Sequence, residues 1–334
     1  MPAKCSASLP TLLSLEVTTQ GLRLTMKPFL RTLAFVFTSS FAFNASAQEP
    51  EGPAKPMLWK VEGKELTKPS FLFGTMHIGL PRVVTFHPLT ANAFETAEHV
   101  YTEIPMDVAS QVKLTTAVIR TDKKKLTESI GENLSAQLEE ELRVISPSLD
   151  STPFQSFKTW SVAATLPILR YQITGKKALD AVIWDRAEAA GKSTAPLEKA
   201  EDQMAIFDEL SEEEQVTMLA DTLRQLKEGR KDGDDPIDEL LSAYLEGDAN
   251  KIVAVMDRQL AETPAGPAKE LADRLTKRVL YDRNATMAKT ISGILSSKPT
   301  ASHFFAVGAA HYVGKDSIVD LLTAEGYRVT RMAE

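Results

Sequence analysis

A chain of 334 residues with 45 acidic against 38 basic side chains has a formal charge of −7. That balance argues against nucleic acid or an anionic membrane surface as a partner. The single cysteine, Cys5, precedes the first apolar run, so the rest of the chain has no disulfide, no thiolate metal site and no thiol catalysis.

Lys27 and Arg31 precede an apolar run from Leu33 to Phe43 that closes on Ala45-Ser46-Ala47. This is the pattern of a secretory signal peptide cut after Ala47, with Met26 as the true start. The run is too short to anchor in a bilayer, and no cysteine follows it to accept a lipid. The mature form is therefore expected to be periplasmic or secreted, with no membrane anchor. The first 47 residues carry four basic side chains and one acid, so their removal leaves 287 residues with a formal charge of −10. Residues 48–56 are polar and proline-rich and read as a disordered tether, and a single domain is expected over 57–334.

Within that domain, Phe71-Leu72-Phe73 is an apolar run stopped by Gly74, and His99 to Thr102 is a second run leading to Glu103. The spacing predicts a helix from about Leu89 to Glu98 between them, and strand, helix, strand implies a parallel pair with a right-handed crossover. Leu126, Ile130, Leu134, Leu138, Leu142 and Ile145 recur at helical spacing, the start of a helical insertion over about 108–260. Leu179 to Ala190 reads as a helix and Thr194 to Leu197 as a short strand ending at Glu198. Ser211 with Glu214 forms a capping box for a helix that should end before Gly229, and Gly229 to Pro236 reads as an exposed loop. Gly247 closes another helix, and Asp248 caps the next. A long helical pattern from about Lys269 to Ser296 is followed by a strand from His303 to Val307, a helix from about Asp316 to Glu325 and a strand from Tyr327 to Arg331. Strand units at both ends of the chain with helices between them predict an α/β fold with an α+β tendency. One central sheet would be assembled from both ends and covered by a large helical layer.

Two segments share one order, apolar strand, glycine, two small or apolar residues, histidine: Phe73-Gly74-Thr75-Met76-His77 and Val307-Gly308-Ala309-Ala310-His311. The histidines lie 234 residues apart in sequence, yet each should project from the carboxyl end of a strand, the edge where open α/β sheets bind ligands. Imidazole is the commonest transition-metal ligand. A catalytic site usually adds a carboxylate, and Glu103 and Glu198 both follow strands. A lone histidine after a strand is more often structural, and it is the repetition that singles out His77 and His311; His87, His99 and His303 have no such context. Asp180 opens a helix, and N-capping is its simpler explanation. Arg283 lies beside the apolar face set by Leu280, Met287, Ile291 and Ile294, where a guanidinium needs a carboxylate or an anionic ligand.

These residues, with Leu179-Asp180, Leu197-Glu198, Gln203, Arg283-Asn284 and Gly314, resemble the TraB/GumN/Tiki superfamily over nearly the whole mature chain, in its bacterial GumN-like form. The resemblance implies a fold related to the erythromycin-esterase and haem-binding ChaN-like proteins. It also implies a site of two Gly-x-x-His motifs with a glutamate and an arginine, and metal-dependent proteolysis as described for animal Tiki members, with manganese or cobalt as cofactor. Ala178-Leu179-Asp180 stands where relatives often have Gly-Val-Asp. The expectation is an exported metal-dependent hydrolase in which His77, His311 and Glu103 bind a divalent cation (manganese, cobalt or zinc), Glu198 shuttles protons and Arg283 stabilises an oxyanion, acting on a peptide or small-molecule substrate. The rival is a non-catalytic protein that holds haem, a metal or a peptide in the same crevice. A third alternative is a helical interaction module, in which the histidines would be dispensable.

Overall fold

The computed structural model describes residues 52–233 and 235–333; the leader, its cleavage at Ala47 and the Met26 start lie outside the described residues. Six strands form one sheet: β1 (Leu58–Glu62), β2 (Ser70–Thr75), β3 (His99–Thr102), β4 (Ser193–Pro196), β5 (His303–Gly308) and β6 (Arg328–Arg331), in the order β4-β3-β5-β2-β1-β6. The block β4-β3-β5-β2 is parallel, and β1 runs antiparallel to both β2 and β6. Every residue of β2 and all but the last of β5 are buried. Burial on both faces is why these strands read as continuous apolar runs. Pro196 is tolerated because β4 is an edge strand.

The sheet joins both chain ends, as the sequence pattern predicts, but the expected pair of β2 and β3 is not a pair. Strand β5 lies between them, with Phe71 opposite Phe304 on one side and Tyr101 opposite Phe305 on the other. Local pattern gives the direction of the two strands and not the distant strand that separates them. Strand β1 is absent from the sequence reading, since Leu58-Trp59-Lys60-Val61-Glu62 is short and follows directly on the proline-rich segment. The described part of that segment packs against the domain: the Ala54 N–H donates to the Leu245 carbonyl at 2.7 Å, and Arg331 donates to the Pro56 carbonyl at 2.6 Å.

The helical layer departs from expectation in two places and keeps to it in a third. The capping-box helix runs Glu212–Asp232, past Gly229, and the first half of the expected exposed loop is therefore helix. The pattern from Lys269 to Ser296 is helical throughout, with Pro267–Thr276 and Asp282–Ser297 continuous through a π-turn at Lys277–Tyr281. Helix Leu179–Ala189 packs on the sheet and leads to β4, so sheet elements divide the span expected to be insertion. The rest of that span has a second core of its own, where Leu126, Leu138 and Leu142 meet Leu219 and Leu223.

His303 lies fully buried in β5, stacked on His99 at 5.2 Å and flanked by Tyr101 and Phe305. Its Nε2–H donates to the Lys298 carbonyl at 3.2 Å, and its Nδ1 has no hydrogen-bond partner among the described residues. Burial holds its pKa below the ordinary histidine value, and burial does the same for His99. At these two rings the folded state thus binds fewer protons than the unfolded chain. The stability that the neutral rings contribute is full above a pH of about 6.5 and is lost as the pH falls. The thermal midpoint should therefore drop between pH 7.5 and pH 5.5, and His303→Phe should flatten that drop; an equal drop in the variant would refute the assignment.

Candidate active site at the carboxyl ends of the parallel strands

The four parallel strands deliver one side chain each to the same sheet edge. His77 lies two residues beyond β2, Glu103 directly follows β3, Glu198 lies two beyond β4, and His311 lies in the short 3-10 turn Ala309–Tyr312 after β5. Sheet order converts residues far apart in sequence into the row Glu198, Glu103, His311, His77. Two helix starts complete the site: Asp180 comes from the first turn of Leu179–Ala189, and Arg283 with Asn284 from the first turn of Asp282–Ser297. The π-turn directly before Arg283 is the kind of local irregularity that often re-aims a functional side chain.

Gly74 and Gly308 are both required by close approach. A Cβ on Gly74 would meet the Ala309 Cα and Cβ at 3.0 Å, so the two motifs press against each other. A Cβ on Gly308 would sit 3.1 Å from Glu103 Oε1, 3.6 Å from His311 Cδ2 and 3.8 Å from His77 Nε2. The space that Gly308 leaves is therefore bounded by both imidazoles and the carboxylate. Gly308→Ala should fill it while the sheet register persists, and we expect divalent-cation binding by calorimetry to fall at least about tenfold with little change in melting temperature. Undiminished binding in that variant would show that this space is not the site.

Each imidazole is held from behind. His77 Nδ1 donates to Asp180 Oδ2 at 2.8 Å, and Asp180 Oδ1 accepts from the Thr75 hydroxyl at 2.6 Å. His311 Nδ1 lies 2.7 Å from Asn284 Oδ1, and Asn284 Nδ2 donates to the Asp316 carbonyl at 2.9 Å. The amide orientation makes Oδ1 the acceptor, so the His311 proton sits on Nδ1. Both rings thus turn their Nε2 edge to the site. The role of Asp180 corrects the capping expectation: Ala178 is the N-cap of that helix, and the buried Asp180 carboxylate is spent on His77 and Thr75. Its place beside an apolar helix start gave no hint of this, because the partners lie over 100 residues away in sequence.

The carboxylates are bound to one cation. Arg283 Nη2 donates to Glu103 Oε2, its Nε donates to both oxygens of Glu198 at 3.1 and 3.2 Å, and its Nη1 donates to the Val279 carbonyl at 3.2 Å. Gln203 Nε2 bridges Glu103 and Glu198 at 3.3 and 3.4 Å, and the Gly308 N–H donates to Glu103 Oε1 at 2.6 Å. The three charged side chains are only 6–12% exposed.

The titration behaviour follows from these contacts. Burial alone would raise the Glu103 pKa, but His311, His77, Arg283 and the Gly308 N–H outweigh it and hold the group at about 2. Burial depresses His311 to about 4, keeping it neutral. Asp180 raises His77 to about 9, although the ring is 55% exposed and solvent screens part of that attraction.

The donor types are those of a divalent-cation site, with the His77 proton, held by a pKa of about 9, to be released as an ion binds. Two imidazoles with Nδ1 committed to oxygen acceptors are the usual arrangement behind metal-ligating histidines, and an anionic oxygen lies beside them. His77, His311 and Glu103 are the residues that would hold the ion. Among the described residues no group of three or more His, Cys, Asp or Glu side chains is drawn together tightly enough to hold a metal, and Glu103 is engaged by Arg283.

A mixed sheet with paired histidine motifs and a buried Glu-Arg-Glu cluster at the carboxyl edge of its four parallel strands defines an α/β protein with a polar site built across the sheet. A family model described as the TraB/PrgY/gumN family matches residues 57–331, and the chain belongs to that family. It is 26% identical over 313 residues to the metalloprotease TIKI2 of Danio rerio, covering 81% of this chain and 60% of that protein. It is 24% identical over 324 residues to the metalloprotease TIKI1 of Homo sapiens, covering 86% of this chain and 64% of that protein. An uncharacterized protein of Treponema pallidum (strain Nichols) is 22% identical over 276 residues, 80% of each chain. The chain spans about 60% of the length of the first of these relatives. No solved structure matches the chain. Among the described residues no helix is long and apolar enough to cross a membrane.

Proposed function

We propose that this chain is an exported metal-dependent hydrolase that cleaves a peptide substrate at the carboxyl edge of the sheet. The observation that carries the reading is the convergence of His77, His311 and Glu103 on the space left by Gly308. Export rests on the leader pattern, and the peptide substrate on the likeness to proteins named metalloproteases.

A divalent cation, when bound, supplies a Lewis acid that polarises a carbonyl and makes water more acidic. Asp180 and Asn284 fix the two ring orientations and so set the Nε2 edges in advance of binding. Glu103, kept anionic by its surroundings, provides the negative oxygen of the site. Arg283 bonds three acceptor groups and keeps one Nη1 hydrogen outside them, and that donor is available to a developing oxyanion. Glu198 was expected to move protons, but with both oxygens on Arg283 it serves better to position the guanidinium.

The test is metal analysis of protein purified without chelator or histidine tag, followed by chelation and reloading with manganese, cobalt or zinc. Turnover of a quenched fluorescent peptide library should vanish on chelation and return with at least one of these ions. Protein that carries no metal, takes none up and cleaves nothing would end the hydrolase reading, and a visible absorption band on haem addition would replace it with the binding one.

A further inference from the structure

A cleft of about 1080 Å³ opens beside His77 and Asp180, between helix Val108–Ala117 and helix Leu179–Ala189. Ile104, Ile119 and the buried Trp184 contribute apolar surface to its walls. Helix Val108–Ala117 buries none of its residues, and Val108 and Val112 are 82% and 61% exposed on the cleft side. Large apolar side chains left in water on a groove wall cost free energy that an apolar occupant recovers.

The charges on the same walls select the sign of that occupant. Asp180 is spent on His77 and Thr75, and Lys177 on Asp185. Asp107 and Glu188 have no cationic partner among the described residues. Asp107 accepts from Ser110 and from neighbouring backbone N–H groups, and Glu188 accepts from the Trp184 indole N–H. The walls thus combine exposed valines, buried apolar side chains and two anionic groups not neutralised by the protein.

From this complementarity we infer that the cleft is the substrate-binding groove and that it takes an extended peptide segment with apolar side chains flanked by a basic residue. Apolar side chains lie along Val112 and Trp184, and the basic group faces Asp107 and Glu188, while the adjoining backbone reaches His77. This inference rests on the hydrolase reading above for its catalytic consequence and on the cleft alone for binding.

Fluorescence anisotropy with three labelled peptides of equal length tests it: one with leucines flanked by lysine, one with the lysines replaced by glutamate, and one with the leucines replaced by serine. The lysine-leucine peptide should bind roughly tenfold more tightly than its serine twin. It should bind several-fold more tightly than its glutamate twin, with that second gap closing at high salt. Val112→Ser should narrow the first gap and Glu188→Gln the second; both positions are exposed, so the fold should be retained. Equal binding of the three peptides, or gaps unmoved by either variant, overturns the inference. The two readings fail separately. Selective binding with no cleavage in any metal-loaded sample removes the hydrolase reading and leaves the groove, whereas cleavage without selectivity removes the groove and leaves the hydrolase.

Discussion

His311→Ala should cost the protein its divalent-cation binding, with affinity lowered by about 100-fold or more and peptide turnover reduced to background. The expectation follows from the place of the ring in the site. It bounds the Gly308 space, and burial keeps it neutral and ready to offer Nε2. Loss of an orienting partner alone can cost about 10- to 100-fold in metal affinity, and loss of the ligand costs more. Stability should change less, because the variant mainly strands Asn284 Oδ1, a buried acceptor worth about 1–3 kcal/mol. His77→Ala should match it in affinity, and the double variant should add little, since groups that act as one unit are not additive. Calorimetry and thermal melting on the metal-free proteins separate the two roles. Collapse of the fold in either single variant, with no selective loss of affinity, would mean that the histidine serves structure.

Arg283→Met should be the most destabilising change in the site, by about 3–5 kcal/mol. Its guanidinium, 12% exposed, is the only cation contacting Glu103 and Glu198 among the described residues, and both carboxylates are nearly as buried as a core side chain. Removing it leaves two like charges bridged only by Gln203 in a medium where neither is hydrated. Glu198→Gln in the Arg283→Met background should recover part of the loss, because it removes one of the stranded charges. Chemical denaturation of the two single variants and the double variant measures this directly. A loss under about 1 kcal/mol for Arg283→Met would show that the cluster contributes no net stability.

Much of this site was legible in the sequence, and the reason is geometric. An apolar strand that reaches a glycine, followed three residues later by histidine, places the ring at the carboxyl edge whatever the rest of the fold does. For that reason His77 and His311 are legible without the strand order, and Glu103 is legible from its place directly after an apolar run. Arg283 stands out because a guanidinium beside an apolar helical face must find an anion, and it finds two. Asp180 and Asn284 were not legible as partners of the histidines. Their function lies in contacts across the sheet and not in any spacing along the chain. The same limit hid the position of β5, since periodicity records what a strand buries and not which strands it lies between.

The central position of β5 also carries a consequence for biogenesis. A ribosome makes β2 and β3 some 200 residues before the strand that joins them, so the two emerge as edges without a centre. Pairings of such long range are slow to form and leave sticky strand edges exposed in the meantime. His77 and Glu103 cannot share a pocket with His311 until β5 is inserted between β2 and β3. A chain cut short anywhere before His303 therefore lacks both its middle strand and its chemistry, and possession of the site is itself proof that synthesis has run past that point.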